Sequence, residues 1–387
     1  MQLGWNDEER QLHDRYRKLG AEIAQARQGA AIDAFDHDGW RRLKDAGLWR
    51  IAIPQAFGGD ERGWWAFTAA LEGLASGIRT PALVLSVIAQ AGLIRAMTEY
   101  GSPAQREKYF GALLRGELGV TAIAEPTTGT DVRSIGTVLE PHGDGYVLSG
   151  DKFNIAHAPV ADFSLVVAKL TGAAREGVTL VMLDKDAPGI HAGPPDTKFG
   201  NRALPTGPIR YENTPVSREQ ILGEPGRGLQ QLIDIISLGR LYYGLVSAAI
   251  AEPYVEEALD YVAARTSFGE PVAAHQYVQK RVVDARIGIE RTRWLAYAAL
   301  DQLLNRRDGS VMLCSIAKLV GANDLIDTAI SLVRLRGSTG YHEGELAVLA
   351  RDALGFASVG GTEEMHRKNI FNQMQRLHAR ANGAARA

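Results

Sequence analysis

Apolar residues recur along this chain with two periods, and the change of period divides it into three blocks. The first block is helical. Leu12, Tyr16, Leu19 and Ile23 follow at i, i+4, i+7 and i+11, an apolar stripe on one helix face. Asn6-Asp7 can cap that helix, with Glu8 and Glu9 in the first turn, where the helix dipole favours negative charge. A second helix is expected after Asp36-His37-Asp38, running through Trp40 and Leu43 to a stop at Gly47. Pro54 and a Gly58-Gly59 turn interrupt the pattern. Helical spacing resumes over residues 64–76, 80–99 and 103–115.

From about Gly119 to Leu222 the spacing shortens to two. Candidate strands are VTAIAE, TVLEPHGDGYVLSG, KFNIAHA, DFSLVVAKL, GVTLVMLDK and the region around GPIRYENTPV. His142-Gly143-Asp144-Gly145 signals a hairpin turn. Short strands joined this way suggest a small antiparallel barrel or sandwich. Lys198 to Arg202 reads as a polar, irregular loop. Gly223, Gly226 and Gly228 mark the return to helical spacing, which predicts helices over about 229–265, 275–304, 311–336, 347–354 and 363–381. The implied domains are a helical one over 1–118, a β domain over 119–222 and a helical one over 223–387.

Composition narrows the function. With 387 residues, 45% of them hydrophobic, the chain can bury a full core in two or three subdomains. A net charge of -2 supplies no single-sign field, which argues against nucleic acid or an anionic membrane as partner. Cys314, the one cysteine, cannot form an internal disulfide and lies in a helical pattern, so a buried inert thiol in a reducing compartment is expected. The N-terminus has no apolar signal core and no apolar run reaches transmembrane length, which points to a cytoplasmic protein. In the β block, Thr127, Thr128, Gly129 and Thr130 follow the Glu125-Pro126 break; such a loop can offer N–H groups and hydroxyls to an anionic or flat polar ligand. An ordinary strand-end turn fits the same residues.

Six segments together resemble the acyl-CoA dehydrogenase family of FAD flavoenzymes, in order and over nearly the whole chain. They are GLWRIAIPQAFGG, TAIAEPTTGTDV, GYVLSGDKFNIAHA, ARTSFGEPVAAHQYVQ, RLRGSTGYHEGELAVLARDA and GGTEEMHR. The resemblance implies an α+β, mostly α fold: a helical domain, a central antiparallel β-barrel and a C-terminal four-helix bundle. It implies FAD as cofactor and an acyl thioester substrate on CoA or a carrier protein. It also implies a homodimer or homotetramer, and leaves room for an electron-transfer partner. It places Ile123 and Ala124 by the flavin ring, Thr130 near pyrophosphate or substrate, and Asn154, Ile155 and Ala156 behind the ring. Arg265, Ser267, Phe268 and Gln276 would grip the FAD of a neighbouring subunit, and Arg334, Gly337 and Ser338 would meet its adenosine end. Thr362 and Glu364 would lie on the loop near the ring, with Arg240 supporting the substrate helix. Arg240, Arg265 and Arg351 are equally the residue type of structural ion pairs.

The chain departs from that pattern where the chemistry is decided. Family members remove the proton next to the thioester carbonyl with a carboxylate, either before a Gly-Thr pair near the C-terminus or just before an arginine on the long helix. Those positions here are Gly360 and Gly239. Two flavin-contact positions carry Ala124 and Ala156 where the family has threonine, and Asn154 stands where it has tryptophan. Gly360 keeps a backbone N–H that can polarise a carbonyl, while Glu363, Glu364 and Tyr242 are the nearby candidates for a relocated base. Three readings stay open: a dehydrogenase with a relocated base, a flavin monooxygenase needing no carboxylate, and a non-catalytic partner subunit.

Overall fold

The computed structural model describes residues 4–27, 33–128 and 131–384. Five helices form the first block: α1 (Asp7–Ala26), α2 (His37–Asp45), α3 (Gly63–Ile78), α4 (Pro81–Tyr100) and α5 (Pro103–Arg115). Asn6 and Glu9 close a capping box on α1, and Ser102 and Gln105 close another on α5, with Pro103 at the first helical position. The central block holds β1 (Gly119–Ala122), β2 (Val138–His142), β3 (Gly145–Ala156), β4 (Phe163–Leu170), β5 (Gly177–Asp184), β6 (Ile190–Ala192), β7 (Thr206–Val216) and β8 (Ile221–Leu222). The third block holds α6 (Gly228–Ala264), a hairpin of β9 (Thr266–Ser267) and β10 (Glu270–Pro271), then α7 (Gln276–Leu304), α8 (Ser310–Leu335), α9 (Glu345–Gly355) and α10 (Glu363–Ala384).

The sheet runs β6-β7-β3-β2-β4-β5-β8, with β1 added against β4. Most pairs are antiparallel, and β2 turns into β3 at His142–Gly145 as the turn residues require. Two pairings are parallel, β1 with β4 and β2 with β4. The short β6 and β8 carry no alternating signature and were not expected. On β4, Phe163, Leu165 and Val167 enter the helical core, while Val166, Ala168 and Leu170 enter a separate core inside the β block. A strand buried on both faces reads as a continuous apolar run, as DFSLVVAKL does.

One expectation is corrected. Among the described residues, α4 and α6 are long and apolar enough to cross a membrane by length and composition. Most of each span is buried inside the protein, and the polar residues of α4 have internal partners: Gln90 bonds both backbone groups of Gly119, and Arg95 pairs with Asp234 at 2.7 Å. They are core helices packed on several sides. The Lys198–Arg202 stretch is the irregular loop expected, and it is docked. The Asn201 amide donates to Asp352 Oδ1 at 2.6 Å, and Lys198 Nζ donates to the carbonyls of Asn201 and Leu204. Cys314 is buried and burial pushes its thiol up to about 12, so it is the inert thiol expected.

His157 ties the end of β3 to α4 through a 2.7 Å bond to Ser86 Oγ. The ring is fully buried, and burial, reinforced by the Lys198 charge, lowers its pKa to about 4. A depressed histidine stabilises the fold above its unfolded pKa of about 6.5 and loses that contribution as pH falls towards 4. Thermal or urea melts are expected to show about 3 kcal/mol lost over that window; a His157→Asn chain should lack that part of the slope.

Candidate functional site

The segment after β1 crosses the boundary between the two cores. Half-buried Ile123 packs on the helical core and half-buried Ala124 on the β core. Beneath it lies an ion pair that periodicity does not reveal. Lys152 Nζ donates to Glu125 Oε1 at 2.8 Å and to the carbonyls of Ile123 and Val167. Glu125 also accepts from the amides of Gly136 and Thr137 and from the Thr137 hydroxyl. Burial pushes the Glu125 carboxyl up, but these bonds outweigh it and hold the group below the usual range. Burial lowers Lys152 to about 8, opposed by Glu125. The lowered Glu125 favours its carboxylate, and Lys152, although lowered by burial, stays protonated at neutral pH, so the pair is charged.

Above this pair the strand bulges. The Phe153 amide donates to the Ala124 carbonyl at 2.9 Å, and the β3–β7 register shifts between Lys152 and Ile155. Asn154 takes a left-handed φ of 52°, which asparagine tolerates better than most residues. The bulge exposes Phe153 and Asn154 and buries Ile155, leaving Ala156 half-buried. The Ala124 amide makes no hydrogen bond to a described residue. The result is an open face with a free backbone donor and the Asn154 amide, which suits the polar edge of a flat ring. Gly129 and Thr130 lie outside the described residues.

Gly239 and Gly360 converge. Gly239 lies on α6, and a Cβ there would meet Ile88 Cγ2 at 3.7 Å and Tyr243 Cε2 at 3.8 Å, ordinary contact distances. Gly360 precedes α10 with φ 69°, and a Cβ there would fall 2.5 Å from Tyr243 Cδ2 and Cε2. One tyrosine ring therefore lies against both glycines. It was missed in the sequence, although it stands four residues after Gly239 and so on the same helix face. Tyr242, weighed as a base, packs instead: its hydroxyl is fully buried and bonds Thr68 at 2.9 Å. Glu363 pairs with Arg367. Glu364 is exposed, held below the usual range by its own amide and by Thr362, whose hydroxyl also takes the Met365 amide at 3.4 Å. These acids serve the start of α10. Gly360→Ala is expected to cost about 1–3 kcal/mol by backbone strain alone, and combining it with Tyr243→Ala in denaturation experiments should recover only the steric part.

Behind the Gly360-Gly361 loop, three basic groups meet without a contacting carboxylate among the described residues. Arg240 is 7% exposed, its Nε has no partner, and Nη2 lies 3.7 Å from Met365 Sδ. Lys318 Nζ donates to the Gly361 carbonyl at 2.7 Å. His366 is buried with neither ring nitrogen hydrogen-bonded. Burial lowers all three, Arg240 to about 10, Lys318 to about 8 and His366 to about 3, and their mutual repulsion adds to the last two. Arg240 is thus not an ion-pair arginine, whereas Arg351 is one, bound to Glu343 at 2.9 Å.

The remaining predicted residues are not joined to this face within one chain. Arg265 is exposed without an ion pair among the described residues. Ser267 and Phe268 follow on the β9–β10 hairpin, where Phe268 is 96% exposed at φ 54°. Gln276 is exposed at the start of α7, as are Arg334, Gly337 and Ser338 near the end of α8. The stretch Gly337–Tyr341, expected as a loop, is a short 3-10 helix bordering a cavity of about 310 Å³. A second cavity, of about 560 Å³, lies away from Gly239 and Gly360, between α1, α4, α9 and the Phe199–Ala203 loop.

Comparison with known proteins covers nearly the whole chain. The acyl-CoA dehydrogenase N-terminal domain matches residues 6–117, the middle domain 120–214 and the C-terminal domain 226–375. A mitochondrial isovaleryl-CoA dehydrogenase of Oryza sativa subsp. japonica is 30% identical over 96% of this chain and 92% of its own length. The prolyl acyl carrier protein oxidase AnaB superposes with a TM-score of 0.90 at 25% identity, over 96% of this chain and all of its own. A glutaryl-coenzyme A dehydrogenase in complex with glutaryl-CoA gives 0.87 at 26% identity, over 97% of both chains.

Proposed function

The chain belongs to the acyl-CoA dehydrogenase family and is an FAD-dependent oxidoreductase of acyl thioesters; from that premise we propose where its substrate reacts and how its cofactor is held. The thioester lies with its Cα–Cβ bond between the Ala124–Ala156 face and the spot where Gly239 and Gly360 converge. One arrangement carries this reading. Half-buried Ile123 and Ala156 of the ring face pack on the same helical core as half-buried Tyr243 and Val359, which adjoin the two glycines. This shared core supports a common cleft for ring and thioester.

Bound FAD supplies the two-electron acceptor. Ala124 offers its free amide and Asn154 its side chain to the ring, with Ile123, Ile155 and Ala156 as apolar backing. The Gly360 N–H makes no hydrogen bond to a described residue and is available to polarise the thioester carbonyl. Arg240 and Lys318 lie behind that loop and add positive potential where the carbonyl gains negative charge, while the buried His366 ring stays neutral beside them. Thr362 and Glu364 fix the start of α10 and with it the loop.

Arg265, Ser267, Phe268, Gln276, Arg334, Gly337 and Ser338 hold the pyrophosphate and adenosine of a second copy's FAD. A guanidinium without an internal acid is a natural phosphate partner. Exposed Tyr277, Ile287, Trp294, Phe371 and Met374 on α7 and α10 support self-association as a homodimer or homotetramer. Arg265→Ala is expected to weaken FAD retention by about 10–100-fold, the worth of one charged hydrogen bond; unchanged flavin content after gel filtration would remove this role.

The reaction itself is tested by anaerobic mixing. Acyl-CoA and carrier-bound acyl thioesters are offered separately, and one of them should bleach the bound flavin. Purified protein that refuses FAD, or holds it and is bleached by no thioester of either carrier, would sink the reading. An electron-transfer partner then reoxidises the flavin, and the rate of recolouring with and without oxygen separates it from an oxidase.

A further inference from the structure

We propose that Tyr243 carries the substrate's α-proton, in the place of the acid that neither Gly239 nor Gly360 provides; the inference rests on the acyl-thioester reading above. The geometry is specific. The ring edge is 3.8 Å from the start of any side chain at Gly239 and 2.5 Å from the start of one at Gly360. A phenol anchored one turn further along α6 thus occupies the place of a side chain at Gly360 and stands beside the path of one from Gly239. Its neighbour Tyr242 has its hydroxyl taken by Thr68. The Tyr243 hydroxyl has no hydrogen bond among the described residues, on a ring that is half-buried.

The charged groups around it do not set its proton affinity. Asp234 and Arg240 share its helix, Arg95 lies on α4, Lys318 on α8, and Glu363 and His366 on α10. Asp234 is taken by Arg95 and by Tyr100, Glu363 by Arg367, and Lys318 by the Gly361 carbonyl. Burial alone acts on Tyr243 and pushes it up to about 12. At neutral pH it is a phenol, a scarce base and an abundant acid.

The consequence is directional. In oxidation the Tyr243 phenolate takes the proton from Cα, that C–H pair becomes the second bond of Cα=Cβ, and the hydrogen on Cβ leaves with its electron pair to the acceptor that the established activity supplies. Solvent then takes the proton from the phenol. In the reverse direction the phenol protonates Cα of an unsaturated thioester as Cβ gains the electron pair. Oxidation therefore needs the minor form and speeds up with pH, whereas reduction finds the required form already present.

The experiment compares wild type with Tyr243→Phe, both loaded with FAD. Flavin bleaching by a thioester should rise roughly tenfold per pH unit between about pH 6 and pH 9 in wild type. In Tyr243→Phe it should be flat and at least about 100-fold slower at the upper end, with FAD content unchanged. A second readout needs no turnover. An acyl-CoA with a quaternary β-carbon cannot be oxidised, yet wild type should exchange its α-hydrogens with D2O, read by mass spectrometry, and Tyr243→Phe should not. Equal exchange in both proteins overturns the proposal, as does wild-type bleaching that is flat with pH. Wild-type protein that no thioester bleaches or exchanges with removes the premise, and the inference falls with it.

Discussion

Gly239→Glu is expected to accelerate flavin bleaching by acyl thioesters about 10²–10⁴-fold at neutral pH, the usual worth of a well-placed general base. The position accepts the change. Its nearest neighbours, Ile88 and Tyr243, are at 3.7 and 3.8 Å from a new Cβ, and the residue lies inside α6 without a left-handed φ. Replacing glycine within a helix also removes a backbone-entropy cost of about 0.5–1 kcal/mol. The carboxylate would emerge beside the Tyr243 ring, facing the same reacting carbon. Because a carboxylate is ionised well below neutrality, the pH profile should flatten as the rate rises. Gly360→Glu offers the contrast: the left-handed φ and the 2.5 Å approach to Tyr243 predict a strained chain with no gain. Stopped-flow reduction across pH reads both variants. A Gly239→Glu protein that keeps its flavin and gains nothing would show that α6 does not face the reacting carbon.

Lys152→Met is expected to cost about 3–5 kcal/mol of stability, the penalty for removing one member of a buried pair. The magnitude follows from what remains. Glu125 is 5% exposed and would keep only the Gly136 and Thr137 donors, while the Ile123 and Val167 carbonyls would lose their Lys152 donor. Ile123 and Ala124 adjoin Glu125, so the loss should also loosen the ring face and release FAD more readily. Adding Glu125→Gln removes the orphaned charge while keeping an acceptor for Gly136 or Thr137, and should restore part of the stability. Urea denaturation of the two single variants and the double variant gives the coupling. Additive losses would mean that the pair is two independent buried polar groups.

Much of the local architecture was legible. The cap at Asn6, the turn at His142–Gly145 and the starts and stops of the long helices depend on residues within one or two turns of each other. The candidate site was legible as a set of segments, and Gly239 and Gly360 could be marked as lacking an acid. Their meeting was not. They are far apart in the sequence, and no local period reports that a loop before α10 folds against the middle of α6. Tyr243 reads as one more apolar-face residue of a helix packed on several sides. Tyr242, beside it, was the tyrosine the sequence offered as a base, but its hydroxyl is bonded to Thr68.

The sequence by itself determined the order and type of the elements, the switch of period between helical and β blocks, and the absence of a carboxylate at both expected positions. These follow from hydrophobic spacing, capping chemistry and residue identity, which act over a few residues. Only the tertiary structure decided that β1 and β2 run parallel to β4, that Lys152 and Glu125 pair beneath the ring face, and that Asp352 anchors the Asn201 loop. It also decided that α4 and α6 bury their apolar length within the protein, and that one phenol stands against two distant glycines. Each of these is a contact between distant segments, selected by packing and by the need to satisfy buried polar groups, and neither constraint leaves a periodic trace in the chain.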